Sequence, residues 1–274
     1  MGFKRCSQSE IRGEVTGLTG LTGHGSVNSY QEKKYMETTA AIVLAAGQGK
    51  RMESKIQKQF LLLNGKPLIA HSLKAFEESR IDQIILVTGE DEISYCRKEI
   101  VEKYGFSKVT AVIAGGKERY HSVYEGLKEA GEAEYVLIHD GARPLLTEEI
   151  IDRALKGAKE YGACVAGMPV KDTIKISDAG GFVEATPDRS KLWQIQTPQA
   201  FSYSWIRQAY DKLFSSEEYQ RGVTDDAMVL EAMSCHRVRL IEGSYSNIKV
   251  TTPEDMAVAE ALMNFSGNFR PGKE

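Results

Sequence analysis

Five short apolar runs constrain this chain more than any other feature: Ala40-Ala41-Ile42-Val43-Leu44, Ile84-Ile85-Leu86-Val87, Thr110-Ala111-Val112-Ile113, Tyr135-Val136-Leu137-Ile138 and Cys164-Val165-Ala166-Gly167. They lack the polar alternation of a half-solvated strand, so each reads as a strand covered on both faces. Between them apolar residues recur at helical spacing: Leu68, Ile69, Leu73 and Phe76, then Val123, Leu127 and Ala130, then Ile150, Ile151, Ala154, Leu155 and Ala158. Alternation of this kind is satisfied by an α/β fold of three layers, a Rossmann-like, mostly parallel sheet with helices on both faces. One helix is bounded by Thr147 and Gly162. The last opens with Thr252-Pro253-Glu254-Asp255, which supplies a cap, a first-turn proline and an acid three residues after the cap.

Residues 1–38 are polar and glycine-rich and read as a flexible N-terminal extension, followed by a single domain over residues 39–265 and a tail over 266–274. A 42% hydrophobic content supports a substantial core, and a net charge of -3 gives no general drive toward nucleic acid or an anionic membrane. No apolar run approaches the ~20 residues of a membrane span, and no signal-peptide core precedes the domain. The four cysteines are too widely spaced for a zinc pattern or a disulfide framework, which predicts reduced thiols and a cytoplasmic protein. The rhythm breaks at residues 170–195. Thr173-Ile174-Lys175-Ile176 and Phe182-Val183-Glu184-Ala185 flank a turn and predict a protruding β-arm. A lone two-stranded ribbon is marginal in water, so a homodimer paired through this arm is expected.

The first run leads into Ala45-Ala46-Gly47-Gln48-Gly49-Lys50-Arg51-Met52, with Lys58 and Gln59 shortly after. Glycines that let the backbone close on a ligand, beside Lys50, Arg51 and Lys58, describe a cradle for a polyphosphate. A P-loop is excluded, because Leu44 stands at its first glycine and Arg51 at its hydroxyl position. The dinucleotide fingerprint is excluded too, with Met52 at the third glycine and His71 and its neighbours in place of the distal acid.

In an open parallel sheet, ligands bind beyond the carboxyl ends of the strands. That rule puts His139-Asp140-Gly141-Ala142-Arg143-Pro144 on the same rim as the glycine loop. Asp140 suits a ribose, a substrate hydroxyl or a hydrated magnesium ion, and Arg143 suits a phosphate; the bland alternative is a turn stapled by an Asp–Arg pair. His139 reads as a packed polar residue. Gly115 and Gly116 open a further loop before the helix that carries Ser122, where a base or ribose edge has room to approach. Asn247-Ile248-Lys249-Val250-Thr251-Thr252 reads as a strand delivering Lys249 to this rim, whereas Lys171 and Arg189 alone read as solvated charges. Asp225 and Asp226 cap a helix or touch a polyol, and Trp193 and Trp205 read as packing residues.

Taken in order, Leu44-Ala45-Ala46-Gly47-x-Gly49-x-Arg51-Met52 with Lys58-Gln59, Gly115-Gly116-x-x-Arg119-x-x-Ser122, His139-Asp140-x-Ala142-Arg143-Pro144, Val170-Lys171-Asp172-Thr173, Gln196-Thr197-Pro198-Gln199, Thr224-Asp225-Asp226 and Asn247-Ile248-Lys249-Val250-Thr251-x-Pro253 resemble the 2-C-methyl-D-erythritol 4-phosphate cytidylyltransferase family. The likeness covers about Ala40 to Met263. It implies a nucleotidyltransferase-type fold, a dimer joined by β-arms, magnesium held mainly through the substrate's phosphates, and transfer of CMP from CTP to a polyol phosphate. By the same resemblance Arg51, Lys58, Arg189 and Lys249 are catalytic. Ala45, Ala46, Gly47, Gly49, Gly116, Ser122 and Asp140 bind the nucleotide, Arg143 and Thr173 line the acceptor site, and Asp140 is the possible metal ligand. The chain departs from the family at Gln57, where proline is frequent, at Lys117, where an acid is common, and in its extension. Ribitol 5-phosphate cytidylyltransferases share most of these motifs. Ala45-Ala46-Gly47 and the segment Asp188-Arg189-Ser190-x-Leu192-Trp193 favour the methylerythritol enzyme, and the intact cations argue against a silent nucleotide-binding module.

Overall fold

The computed structural model describes residues 37–47, 57–131 and 133–268, with side chains up to 265. Residues 1–36, Gly49, Arg51 and the last six residues lie outside the described residues. The strands are β1 (Thr39–Leu44), β2 (Leu62–Leu63), β3 (Lys66–Pro67), β4 (Gln83–Thr88), β5 (Val109–Ala114), β6 (Tyr135–Asp140), β7 (Ala163–Pro169), β8 (Ile176–Ser177), β9 (Val183–Ala185), β10 (Trp193–Ser202) and β11 (Arg239–Glu242). The helices are α1 (Leu68–Glu78), α2 (Ile93–Tyr95, running into a π-helical stretch Cys96–Glu102), α3 (Arg119–Glu129), α4 (Glu148–Tyr161), α5 (Tyr203–Leu213), α6 (Asp226–Met233) and α7 (Pro253–Asn268).

Seven strands form one sheet in the order β11-β7-β10-β6-β1-β4-β5. All neighbours run parallel except at β10, which is antiparallel to both β6 and β7. The apolar runs supply five of these strands, and their continuity has the expected cause. In β1, Ala41 and Val43 point into a core shared with α1 and α4, while Ala40 and Ile42 point into a second core shared with α3, α5 and α6. The two cores make the three layers. A third, smaller cluster of Leu63, Leu68, Val250 and Ala259 docks α7 beside the β2–β3 hairpin.

Two expectations are corrected. The segment 247–252 is not a strand: it approaches the rim as irregular chain, with Asn247 buried and its amide donating to the Thr197 carbonyl at 2.9 Å. The cysteines are not uniformly reduced, for Cys96 and Cys164 are buried free thiols but Cys235 is disulfide-bonded. The arm is present as the antiparallel pair β8–β9, shorter than the runs that predict it, and residues 171–186 are all exposed. Among the described residues no helix is long and apolar enough to cross a membrane.

The helix bounded by Thr147 and Gly162 is α4, and Gly162 closes it with φ +77°. A β-carbon there would lie 2.2 Å from the Trp205 ring, which is itself stacked on His236 at a centroid distance of 3.6 Å. Left-handed backbone strain and overpacking then act together. Gly162→Ala is expected to cost about 2–4 kcal/mol in urea unfolding; a loss below about 0.5 kcal/mol would contradict this account of the cap.

Candidate active site

The ends of four parallel strands make the rim. The Ala45 amide donates to the Val87 carbonyl at 2.7 Å, Gly115 to Thr88 at 2.7 Å, and Gly141 to Leu44 at 2.9 Å, so the loops after β1, β5 and β6 leave the sheet still tied to it. The loops after β1 and β5 touch each other. A β-carbon on Gly115 would lie 2.6 Å from the Ala46 methyl and 2.5 Å from Ser122 Oγ, so only glycine permits this approach. Ser122 Oγ then accepts from the Gly116 amide at 3.1 Å.

These loops enclose a cavity of about 620 Å³, the size of a small-molecule site, lined by Leu44, Ala45, Ala46, Gly47, Lys58, Gln59, Gly116, Lys117, Glu118, Arg119, Ser122, Asp140, Ala142 and Lys249. Two lysines converge on it from distant parts of the chain. Lys58 opens a 3₁₀ turn at Lys58–Phe60 and reaches the Val250 carbonyl at 3.5 Å, which sets it beside the segment that carries Lys249. The next residue, Gln59, is buried and donates from Nε2 to the Ala45 carbonyl at 2.6 Å, fastening the start of the glycine loop.

Asp140 is the electrostatic centre of the wall. Its Oδ1 accepts from Arg119 Nε at 3.1 Å and its Oδ2 from Lys249 Nζ at 2.7 Å. Burial alone would raise its pKa, but Arg119, Lys249 and Arg143 outweigh burial and hold the carboxyl well below the usual range. Its neighbour His139 is fully buried, meets Thr197 Oγ1 at 3.0 Å and the Arg143 carbonyl at 3.3 Å, and is lowered to about 3, chiefly by burial. It therefore stays neutral and acts as packing, as expected.

The cavity brings together Ala45, Ala46, Gly47, Lys58, Gly116, Ser122, Asp140 and Lys249. Gly49 and Arg51 fall outside the described residues. Arg143 is buried behind the wall, where Nη1 donates to the Asn247 carbonyl at 2.7 Å, and it is not among the lining residues. The Asp–Arg staple considered for this turn is not formed by the two side chains, because Asp140 takes Arg119 and Lys249 instead. Thr173 and Arg189 lie exposed on and beside the arm, away from the lining, with Arg189 Nη1 donating to the Lys171 carbonyl at 2.6 Å. Asp225 takes the capping role, accepting from the Met228 amide at 2.9 Å, whereas Asp226 is buried.

Arg119, Gln59 and Glu118 line the cavity without a role that the sequence alone assigns them. Arg119 carried a signal: it is a cation in the first turn of a helix, opposed by the helix dipole, and such a residue needs acids facing it.

A mostly parallel sheet between helical layers, with a glycine-loop cavity and convergent lysines at the strand ends, defines a nucleotidyltransferase. Residues 39–265 match the profile of 2-C-methyl-D-erythritol 4-phosphate cytidylyltransferase. Proteins of that name from Lachnoclostridium phytofermentans and Alkaliphilus oremlandii are 51% and 50% identical over 235 and 227 residues, which is 85% and 82% of this chain and 100% and 94% of theirs. The crystal structure of 4-diphosphocytidyl-2C-methyl-D-erythritol synthase from Anaerococcus prevotii superposes with a TM-score of 0.73 at 34% identity, covering 83% of this chain and 96% of that one. The cytidylyltransferase from Thermus thermophilus gives 0.66 at 27% identity, over 81% and 98%. The chain belongs to the 2-C-methyl-D-erythritol 4-phosphate cytidylyltransferase family.

The charges around Asp140 make a testable contribution to stability. Its folded pKa lies below the ordinary value of 3.8, so its stabilisation is present above that pH and is lost as the pH falls toward the folded pKa. Asp140→Asn is expected to cost about 2 kcal/mol near neutral pH, less than the ~3–5 kcal/mol of breaking a fully buried pair, because Arg119 and Lys249 keep solvent contact. Urea unfolding at about pH 6 and about pH 3 should show the gap between wild type and variant narrowing by about 1 kcal/mol. A gap independent of pH would contradict the assignment.

Proposed function

We propose that this chain transfers CMP from CTP to 2-C-methyl-D-erythritol 4-phosphate, giving 4-diphosphocytidyl-2-C-methyl-D-erythritol and pyrophosphate in non-mevalonate isoprenoid precursor biosynthesis. The observation that carries this reading is the convergence of Lys58 and Lys249 on one cavity with the glycine loops after β1 and β5. In the reaction an oxygen of the acceptor phosphate attacks the α-phosphorus of CTP, and the bond from that phosphorus to the departing pyrophosphate breaks. The acceptor phosphate is already ionised near neutral pH, so no strong general base is needed. The difficulty is bringing two polyanions together, and charge compensation and positioning answer it.

Each residue then has a share. Ala45, Ala46 and Gly47 present backbone to the triphosphate, Gly49 is assigned to the same nucleotide by the family motif, and Gly116 and Ser122 contact the cytidine. Arg51 and Lys58 stabilise charge growing on the α-phosphate and on pyrophosphate. Lys249 and Arg189 hold the acceptor phosphate, with Thr173 beside it and Arg143 bracing the segment before Lys249.

Magnesium accompanies the triphosphate. Among the described residues no group of three or more His, Cys, Asp or Glu suits a metal ion, so a site made by the protein alone does not fit. Asp140 is the carboxylate at the cavity wall, but its two oxygens already accept from Arg119 and Lys249, so the ion would be held mainly through the triphosphate. When bound, the ion neutralises phosphate charge.

The arm supports a homodimer. Phe182 is 76% and Val183 62% exposed on a two-stranded ribbon that needs cover, and Thr173 and Arg189 lie at this arm rather than in the chain's own cavity. We assign these two residues to the partner's site. We place the reaction in the cytoplasm on the supply of nucleoside triphosphates alone, since the disulfide at Cys235 removes the thiol argument for that compartment, and with no nucleic acid or membrane partner.

Steady-state assays with CTP and magnesium should give a kcat/KM at least about tenfold higher for 2-C-methyl-D-erythritol 4-phosphate than for ribitol 5-phosphate. Preference for ribitol 5-phosphate would overturn the acceptor assignment, and CTP binding without turnover of either would favour a silent module. Lys58→Ala should lower kcat by about 10²–10³ with unfolding unchanged. Near-normal kcat would remove Lys58 from the mechanism.

A further inference from the structure

Asp226 is the one fully buried carboxylate among the described residues, and the reaction outlined above does not use it. It sits at the start of α6 on the helix's inward face, in register with Val229, Leu230 and Met233. A buried charge in such a place is costly unless it is fully partnered. Asp226 is. Arg119 closes a two-pronged fork on it, Nη1 to Oδ1 at 3.0 Å and Nη2 to Oδ2 at 2.8 Å, and the Tyr210 hydroxyl donates to Oδ1 at 2.6 Å. The α6 end is fixed in turn by Gln199, whose Oε1 accepts from the Asp226 and Ala227 amides at 3.1 and 2.9 Å.

The geometry of the fork decides what Arg119 can offer the cavity. A guanidinium has five N–H donors in a rigid plane. The fork on Asp226 uses one N–H of each terminal nitrogen and fixes the plane and tilt of the group; held so, Arg119 meets Asp140 through Nε, at Oδ1 only. Oδ2 is left for the Lys249 ammonium at 2.7 Å. Released from Asp226, the Arg119 guanidinium would be free to turn its side edge squarely onto Asp140 and compete with Lys249 for Oδ2.

We propose that Asp226, held by Tyr210, is a positioning residue that fixes Arg119 in a one-pronged contact with Asp140 and thereby sets where the Lys249 ammonium stands to receive the acceptor phosphate. Asp226 touches no substrate and acts from inside the core. The inference rests on the assignment of Lys249 to the acceptor.

The test is a split between the two substrates. In Asp226→Asn the KM for the polyol phosphate should rise about tenfold, and its calorimetric Kd in the presence of a CTP analogue with a non-cleavable α–β bridge should rise equally, while the KM for CTP stays within about twofold. In the Lys249→Ala background, adding Asp226→Asn should change that Kd by less than about twofold, because the residue it positions is gone. Tyr210→Phe, which keeps the charge and loses only the hydroxyl, should give a smaller rise of about two- to threefold in the same constant. A purely structural Asp226 would lower the melting temperature and the active fraction and leave both constants unchanged; that result overturns the proposal. Should Asp226→Asn fail to fold, Tyr210→Phe decides by the same criterion. A wild-type chain that turns over no polyol phosphate would instead overturn the reading of Lys249, so the two failures are distinguishable.

Discussion

One carboxylate at the end of β6 joins parts of the chain that are remote in sequence: Asp140 accepts from Arg119 at the start of α3 on one oxygen and from Lys249, just before α7, on the other. Cations gathered for two polyanionic substrates repel one another in the empty protein. A fixed acid between two of them keeps the charge near balance, and it is itself kept ionised by the pair. The sheet serves this arrangement, because parallel strands end together and bring Ala45, Gly115 and Gly141 to one edge.

Much of the fold could be read from residues. The strands β1, β4, β5, β6 and β7 are apolar without alternation because helices cover both faces, and that pattern alone calls for three layers. α4 announced itself at both ends through Thr147 and Gly162. β10 was harder to see. Its sequence Trp193-Gln194-Ile195-Gln196-Thr197-Pro198-Gln199 mixes polar residues and a proline, as suits an antiparallel strand whose glutamines serve as braces: Gln196 holds the Ser244 carbonyl at 2.7 Å and Gln199 caps α6. In sequence the segment around Lys249 reads as a strand because Ile248 and Val250 flank the lysine. Val250 is apolar for another reason, since it packs under α7 with Leu63 and Leu68.

The site was legible where chemistry leaves a local mark. The glycine loops and the acid that closes β6 sit at strand ends, the Lys58-Gln59 pair opens a 3₁₀ turn, and the cavity gathers them. The supporting charges were not legible in that way. Arg119 and Asp226 meet only in three dimensions, through a helix that places Asp226 on the same face as Val229 and Leu230. An acid on an apolar helix stripe, paired with a cation at another helix's N-terminus, is the trace such networks leave in sequence. Arg143 shows the converse case. Its motif resembles that of an acceptor-site residue; in the structure the side chain is buried and donates to the Asn247 carbonyl, bracing the turn before Lys249.

A rim of this kind joins a nucleotide to a polyol phosphate and does not merely hold or hydrolyse CTP. The most direct measurement is phosphorus NMR of the protein with equimolar CTP, 2-C-methyl-D-erythritol 4-phosphate and magnesium. The triphosphate and acceptor signals should be lost together, with the appearance of pyrophosphate and of two mutually coupled resonances from a new diphosphate bridge. Accumulation of CMP and pyrophosphate with the acceptor signal unchanged would contradict it.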